Sequence, residues 1–337
     1  MTIQWQNGRL TALLVRWLAV SVLIVTAGWY MIFMPGKSWS DQVPPLSAEE
    51  QLIHDNLKRH VVMLAEQIGE RNVWNAQALL GASRYIRQTL ENLGYQVRVQ
   101  SFESAEMTVQ NLEVELPGVR LPEEVIVFGA HYDSVLGTPG ANDNASGIAA
   151  LLEIARLMAG KKPARSLRLV AFANEEAPFF DSDEMGSKVY AKRASQRNED
   201  IKAMVSLEMI GHYSDKQGSQ RYPFPLGFFY PDTANFVGFV GNLSSRRLVR
   251  QALGAFRAST AFPSEGLAAP SWVTGVAWSD HWSFWQAGYP AIMITDTAFF
   301  RYEHYHRPTD TPDKLDYQSM ARVTKGLVDV AIELAGH

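Results

Sequence analysis

The chain contains no cysteine. Disulfides, thiolate metal ligands and a cysteine nucleophile are therefore excluded, and any bound metal must be held by His, Asp and Glu. Basic charge is not in excess: 31 Lys and Arg stand against 35 Asp and Glu, for a net charge of −4. That balance gives no support for a nucleic-acid surface. Internal repeats and low-complexity tracts are also missing. What is present is an ordinary globular composition, 337 residues with 47% hydrophobic, which allows a sizeable core.

One long apolar run stands out. Trp17 to Met34 carries no charge, and Leu10 to Val15 extends it if Arg16 is tolerated. Its length is near the short limit of the ~17–25 residues that span a bilayer. Arg9 and Arg16 precede it and only Lys37 follows closely, so the positive-inside rule places the N-terminus in the cytoplasm. The expected organisation is a cytoplasmic segment 1–9, a signal anchor 10–34, a linker 35–45 and one folded domain 46–337 on the periplasmic or extracellular side. A bacterial inner membrane is the expected site. A cleavable signal peptide is the alternative, with Val25-Thr26-Ala27 as a cleavage site and a secreted product. Apolarity continuing through Trp29, Tyr30, Ile32 and Phe33 favours the anchor.

Beyond Pro44-Pro45, Ser47-x-x-Glu50 is a capping box that opens a helix to about Glu66. A second helix covers about 76–93, closed by Gly94. Strands follow at 95–102 and 108–116, then at 124–130, 167–173, 202–208, 235–240 and 290–295. Helices alternate with them at 144–160, 184–196, 244–258, 279–287 and 317–334. This alternation predicts a three-layer α/β/α sandwich with a mostly parallel, mixed central sheet, preceded by the N-terminal transmembrane helix. Residues 214–233 and 259–276 read as long loops of the kind that bind ligands.

The chemistry concentrates where strands end. His131 closes one strand, and Asp133, two residues on, projects from the same face and can orient its ring. Asp143 lies in Gly140-Ala141-Asn142-Asp143-Asn144-Ala145-Ser146-Gly147, among small residues that open a helix. An N-cap is the ordinary use of such residues, and each of these elements alone has an ordinary structural use. Glu175-Glu176 follow the next strand; adjacent carboxylates repel and need a cation or a function. Glu208 ends a third, apolar strand. Three consecutive strand ends bearing acid or histidine point to a metal site at the carboxyl edge of a parallel sheet.

Together with Asn174-Glu175-Glu176, Ser279-Asp280-His281 and Tyr305-His306 followed by Asp310-Thr311-Pro312-Asp313, these motifs resemble metallopeptidase family 28, over roughly residues 76–335. That family contains zinc aminopeptidases, glutamate carboxypeptidases and, as relatives, glutaminyl cyclases. The resemblance implies two zinc ions bridged by Asp143, with His131 and Glu208 on one and Glu176 and His306 on the other. It implies Glu175 as general base, Tyr305 beside the developing oxyanion and a cis peptide after Asp143. Glu208 departs from the aspartate usual in the aminopeptidases. Its extra methylene leaves one zinc, as in the cyclases, as an alternative.

The expected reaction is hydrolysis of the N-terminal peptide bond of peptide substrates. A cyclase-like acyltransferase and a non-catalytic binding protein on the same scaffold are the alternatives. Asp280 and His281 are expected to position the site. Phe179, Phe180, Trp278, Trp282, Phe299 and Phe300 are candidates for an apolar substrate pocket, with a core role as the alternative. Asp181, Asp183 or Glu303 could receive the substrate amine. His304 is a weaker ligand candidate than His306, and His54, His60, His212 and His337 are assigned to structure or surface.

Overall fold

The computed structural model describes residues 3–336; Met1, Thr2 and His337 lie outside them. Helix α1, Ile3–Ile32, carries a stretch from Leu13 to Ile32 with mean hydropathy 1.7, none of it buried. Among the described residues it is the one helix long and apolar enough to cross a membrane. A signal segment shares those properties. The apolar run outlasts the helix: Phe33 and Met34 leave it, and Met34 is buried in the core of the folded domain. The segment expected as a linker also packs on the domain, for the Pro35 carbonyl accepts from Arg257 (2.9 Å) and that of Pro44 from Arg322 (2.7 Å).

Helix α2, Ala48–Val61, begins at the expected capping box. Ser47 Oγ accepts from the Glu50 amide (3.2 Å), and the Glu50 carboxylate accepts from the Ser47 amide (2.8 Å). Two orphan donors of the first turn are satisfied that way. The helix widens into a π-helical stretch, Val62–Ile68, and α3 covers Ala76–Asn92.

Eight strands form one sheet: β1 Arg98–Ser104, β2 Met107–Leu116, β3 Leu121–His131, β4 Arg165–Phe172, β5 Asp200–Glu208, β6 Val237–Gly241, β7 Ser264–Ala268 and β8 Ala291–Thr295. Their order is β1-β2-β4-β3-β5-β8-β6-β7. The four central strands β4, β3, β5 and β8 are parallel; β2 runs against β4, and β6, with β7 beside it, runs against β8. Side chains alternate between two cores. Ile126, Phe128 and Ala130 join the larger cluster with α2, with α4 (Gly147–Met158) and with α8 (Tyr317–Ala335). Val125 and Val127 join a second, with Tyr190 of α5 (Gly186–Gln196) and Phe284 of α7 (His281–Gln286). Helix α6 spans Arg246–Ser259. This is the three-layer sandwich.

The expectation of an unbroken loop over 259–276 is corrected, since β7 lies inside it. Ser-Glu-Gly-Leu-Ala has little strand propensity; it is extended because β6 pairs with it.

Candidate metal centre

The parallel core brings three strand ends together. His131, the last residue of β3, pairs with Phe172 at the end of β4, and Glu208 is the last residue of β5 on the other flank. Glu175 and Glu176 follow β4 after Asn174, whose φ of 57° turns the chain sharply. Both of their amides donate to the Asp133 carboxylate, at 3.1 Å each. Asp133 thus fixes the turn that aims the two glutamates, and it lies 3.4 Å from His131 Nδ1.

Asp143 is held by its surroundings. Gly140 sits in left-handed backbone (φ 60°), and a Cβ there would lie 2.3 Å from the Asp143 carbonyl oxygen, so no side chain fits. Asp310 accepts the Asn142 amide (2.8 Å), the Asp143 amide (3.1 Å) and the Tyr302 hydroxyl (2.7 Å). Asn144 ties the loop to β5: its amide group donates to Leu207 O and its oxygen accepts from Gly147 and Met209. The Asp143–Asn144 peptide is cis. Behind the loop, buried Arg71 donates to the carbonyls of Leu64, Gly69, Tyr132, Pro139 and Gly140.

These restraints aim one Asp143 oxygen at each histidine. Oδ1 lies 3.3 Å from His131 Nε2, which is also 3.3 Å from Glu208 Oε2. Oδ2 lies 3.2 Å from His306 Nε2, which is 3.3 Å from Glu176 Oε2. Two three-donor groups result, His131/Asp143/Glu208 and Asp143/Glu176/His306, sharing Asp143. Tetrahedral zinc with ligands at about 2.0–2.1 Å implies donor separations of roughly 3.3–3.4 Å. The spacings fit that ion. Glu208 reaches its place despite the longer side chain, and Ser279 Oγ donates to its carboxylate at 2.8 Å.

The electrostatics agree. Both His131 ring nitrogens are buried without a hydrogen-bond partner among the described residues, a costly state unless a ligand completes it. Burial pushes Glu175 well above the usual carboxylate range, and neighbouring Glu208, Glu176 and Asp280 add to it. Glu176 is pushed up to about 7 by burial and by Asp143. Burial opposes charge on His306, but Asp143 and Glu176 outweigh it and raise it to about 10. Four buried carboxylates around two histidines make a site that a divalent cation would neutralise. Glu175 belongs to neither donor group and lies 3.8 Å from His131 Nε2.

Residues 111–331 match the family described as Peptidase family M28. The chain belongs to peptidase family M28. Its relatives include "Uncharacterized protein YfbL" of Escherichia coli K12, 38% identical over 301 residues, covering 87% of this chain and 91% of YfbL. A second is "Probable aminopeptidase YDR415C" of Saccharomyces cerevisiae, 25% identical over 252 residues; the match covers 70% of this chain but only 60% of the yeast protein. Among solved structures, BSAP, a zinc aminopeptidase from Bacillus subtilis, superposes with a TM-score of 0.67 at 16% identity, over 84% of this chain and 95% of BSAP. Tannerella forsythia glutaminyl cyclase gives 0.58 at 20% identity, over 82% and 97%. The chain therefore has the aminopeptidase fold of this zinc metallopeptidase family.

Two cavities adjoin the M28 centre. One is lined by Asp143, Glu175, Glu176, Phe180, Trp278, Tyr305 and His306, with an empty volume of about 600 Å³. The other, about 830 Å³, is mostly apolar and reaches from Glu208 and Tyr305 past Trp278, Phe299 and Phe300 to Tyr222, Leu226 and Tyr230. Phe179, Trp282, Asp181, Asp183 and Glu303 line neither. Phe179 packs beside Trp74, Trp282 stands edge-on to Trp285, and Lys188 pairs with both Asp181 and Asp183. Glu303 is exposed and lies 3.7 Å from His304. Tyr305 stacks on His306, ring centroids 3.8 Å apart. Asp280 is buried, neither of its oxygens has a hydrogen-bond partner among the described residues, and burial pushes it up to about 7. His281 Nε2 meets the Val276 carbonyl at 2.8 Å, and burial lowers it to about 4.

No motif in the sequence points to Arg71, Asp296 or Tyr302, and Asn144 and Asp310 stand out there only as parts of motifs. Asp296 accepts from the Asn142 side chain and the His212 amide. Arg71, Asn144, Asp296 and Asp310 act on backbone groups that only the fold assembles, and Tyr302 acts on the Asp310 carboxylate.

Proposed function

We propose that the protein is a zinc-dependent aminopeptidase that hydrolyses the N-terminal peptide bond of peptides. The observation that carries this reading is Asp143, with one oxygen facing each histidine of two three-donor groups. His131, Asp143 and Glu208 would hold one zinc, and Asp143, Glu176 and His306 the other. Zinc, when bound, lowers the pKa of a water towards 7 and polarises a carbonyl.

Glu175 accepts the proton of the attacking water and returns it to the leaving amine. Its burial and raised proton affinity suit a base that must also release the proton as an acid. Tyr305, stacked on His306 and lining the cavity at the centre, donates to the oxyanion in this reading. Asp133 fixes the turn carrying Glu175 and Glu176, and buried Asp280 and His281 position the site from beneath it. Phe180, Trp278, Phe299 and Phe300 receive the side chain of the N-terminal residue, which favours apolar substrates. Helix α1 anchors the chain in a membrane, with the catalytic domain on the non-cytoplasmic side.

The test is Glu175→Gln in the zinc-loaded full chain, assayed on aminoacyl anilides. Loss of a general base costs about 10²–10⁴-fold, with zinc content unchanged; wild-type turnover would overturn the assignment. Cyclisation of glutaminyl peptides, run in parallel, is expected to be absent.

A further inference from the structure

The end of α1 does not leave the domain freely; it is clasped by it. Arg246 Nε donates to the Tyr30 carbonyl (2.6 Å) and Arg250 to that of Phe33 (2.7 Å). The Arg246 guanidinium also lies over the Tyr30 ring, 4.0 Å from its centroid. Arg257 extends the row to Pro35, one face of α6 thus holding residues 30–35. Helix α6 carries four arginines and no acidic residue.

Met31 and Ile32 pack on a small buried cluster of Leu226, Leu267, Ala269 and Val276. The two segments that build this cluster, Tyr222–Pro231 and Leu267–Ser279, contain no charged residue. Besides Trp278 at the cavities, they expose four aromatic rings: Phe224 (88%), Phe228 (79%), Phe229 (58%) and Trp272 (83%). A soluble surface seldom carries such a group. It lies beside the point where the apolar helix enters the domain, and Tyr222, Pro223, Leu226 and Tyr230 of its segment wall the apolar cavity.

We propose that this aromatic ridge is a membrane-docking surface, seated in the headgroup–acyl boundary of the bilayer that α1 enters. The proposal rests on the reading of α1 as an anchor. Exposed Phe and Trp suit that boundary. Continuity with the end of α1 chooses a lipid surface over a protein as occupant. Docking seats the outer wall of the apolar cavity on the bilayer, so that peptides lying at the membrane surface reach the centre from beside it.

The absence of cysteine supplies a clean test. Phe228→Cys and Trp272→Cys, each in the full chain, are labelled with an environment-sensitive fluorophore and reconstituted into phosphatidylcholine–phosphatidylglycerol vesicles. Val119→Cys is the reference: Val119 is exposed in the β2–β3 connection, and β3 stands four positions from β7 in the sheet, roughly 19 Å at ~4.8 Å per strand. Lipids carrying a shallow spin label should quench the labels at 228 and 272 about twofold or more beyond that at 119. Quenching at 228 and 272 no greater than at 119 would overturn the proposal. The readout does not involve hydrolysis, so it stands or falls apart from the aminopeptidase reading.

Discussion

Asp310→Asn is the most informative perturbation outside the ligands. Asp310 is fully buried and touches neither histidine, yet its two oxygens accept three donors that set Asp143. Oδ1 takes the Asn142 amide and the Tyr302 hydroxyl; Oδ2 takes the Asp143 amide. The asparagine can keep its oxygen in the first position only by placing its NH2 against the Asp143 N–H. One hydrogen bond to a charged group is then lost and a buried donor is left unmet, about 2–3 kcal/mol in all. With 337 residues unfolding at about 2.1 cal/mol/K each, that cost lowers the melting temperature of the metal-free protein by about 3–4 °C. If the loop relaxes instead, the cost moves to metal binding, and zinc affinity falls roughly 30- to 150-fold. Thermal melts of the stripped protein and competitive zinc titration measure the two arms. Tyr302→Phe, which removes one neutral donor, should cost about 1 kcal/mol. Wild-type melting together with wild-type zinc affinity in Asp310→Asn would refute the claim that Asp310 sets the Asp143 loop.

Two further predictions follow from packing and burial. A Cβ at Gly147 would lie 2.4 Å from Asn144 Oδ1 and 2.5 Å from Leu207 O, so Gly147→Ala should cost about 1–3 kcal/mol and weaken zinc binding; melting and titration check both. His60, bonded to the Tyr85 hydroxyl at 2.6 Å, is lowered to about 4 by burial and by Arg59 and Arg156. Below pH ~6.5 the unfolded chain takes up a proton that the folded one refuses, so stability falls as pH drops from about 6.5 to 4, by up to about 3 kcal/mol. His60→Gln, which stays neutral, should lose that part of the slope in denaturation curves measured across the range; an unchanged slope would refute it.

His131, Glu176 and Glu208 were legible because they sit at or just after strand ends, where short runs of Val, Ile and Leu give way to acid or histidine. The strand ends bring His131, Glu175, Glu176 and Glu208 together with little further information, since parallel neighbours share a carboxyl edge. His306 lies in a loop after β8 with a φ of 54°; it was found by resemblance, not by pattern. Arg71 could not be read at all, because its five partners are carbonyls gathered from residues 64 to 140. The reversed direction of β6 and β7 was equally hidden, as neither strand's composition records the sense of its neighbour. Phe179 and Trp282 show the limit of proximity in sequence: both lie close to motif residues, yet neither lines a cavity at the centre.

The central claim is that Asp143 joins two metal-binding groups. Elemental analysis of the purified full chain, saturated with zinc and freed of excess, tests it most directly. Two zinc ions per chain in the wild type and one in His306→Ala are the predicted results. One zinc per chain in both would contradict it.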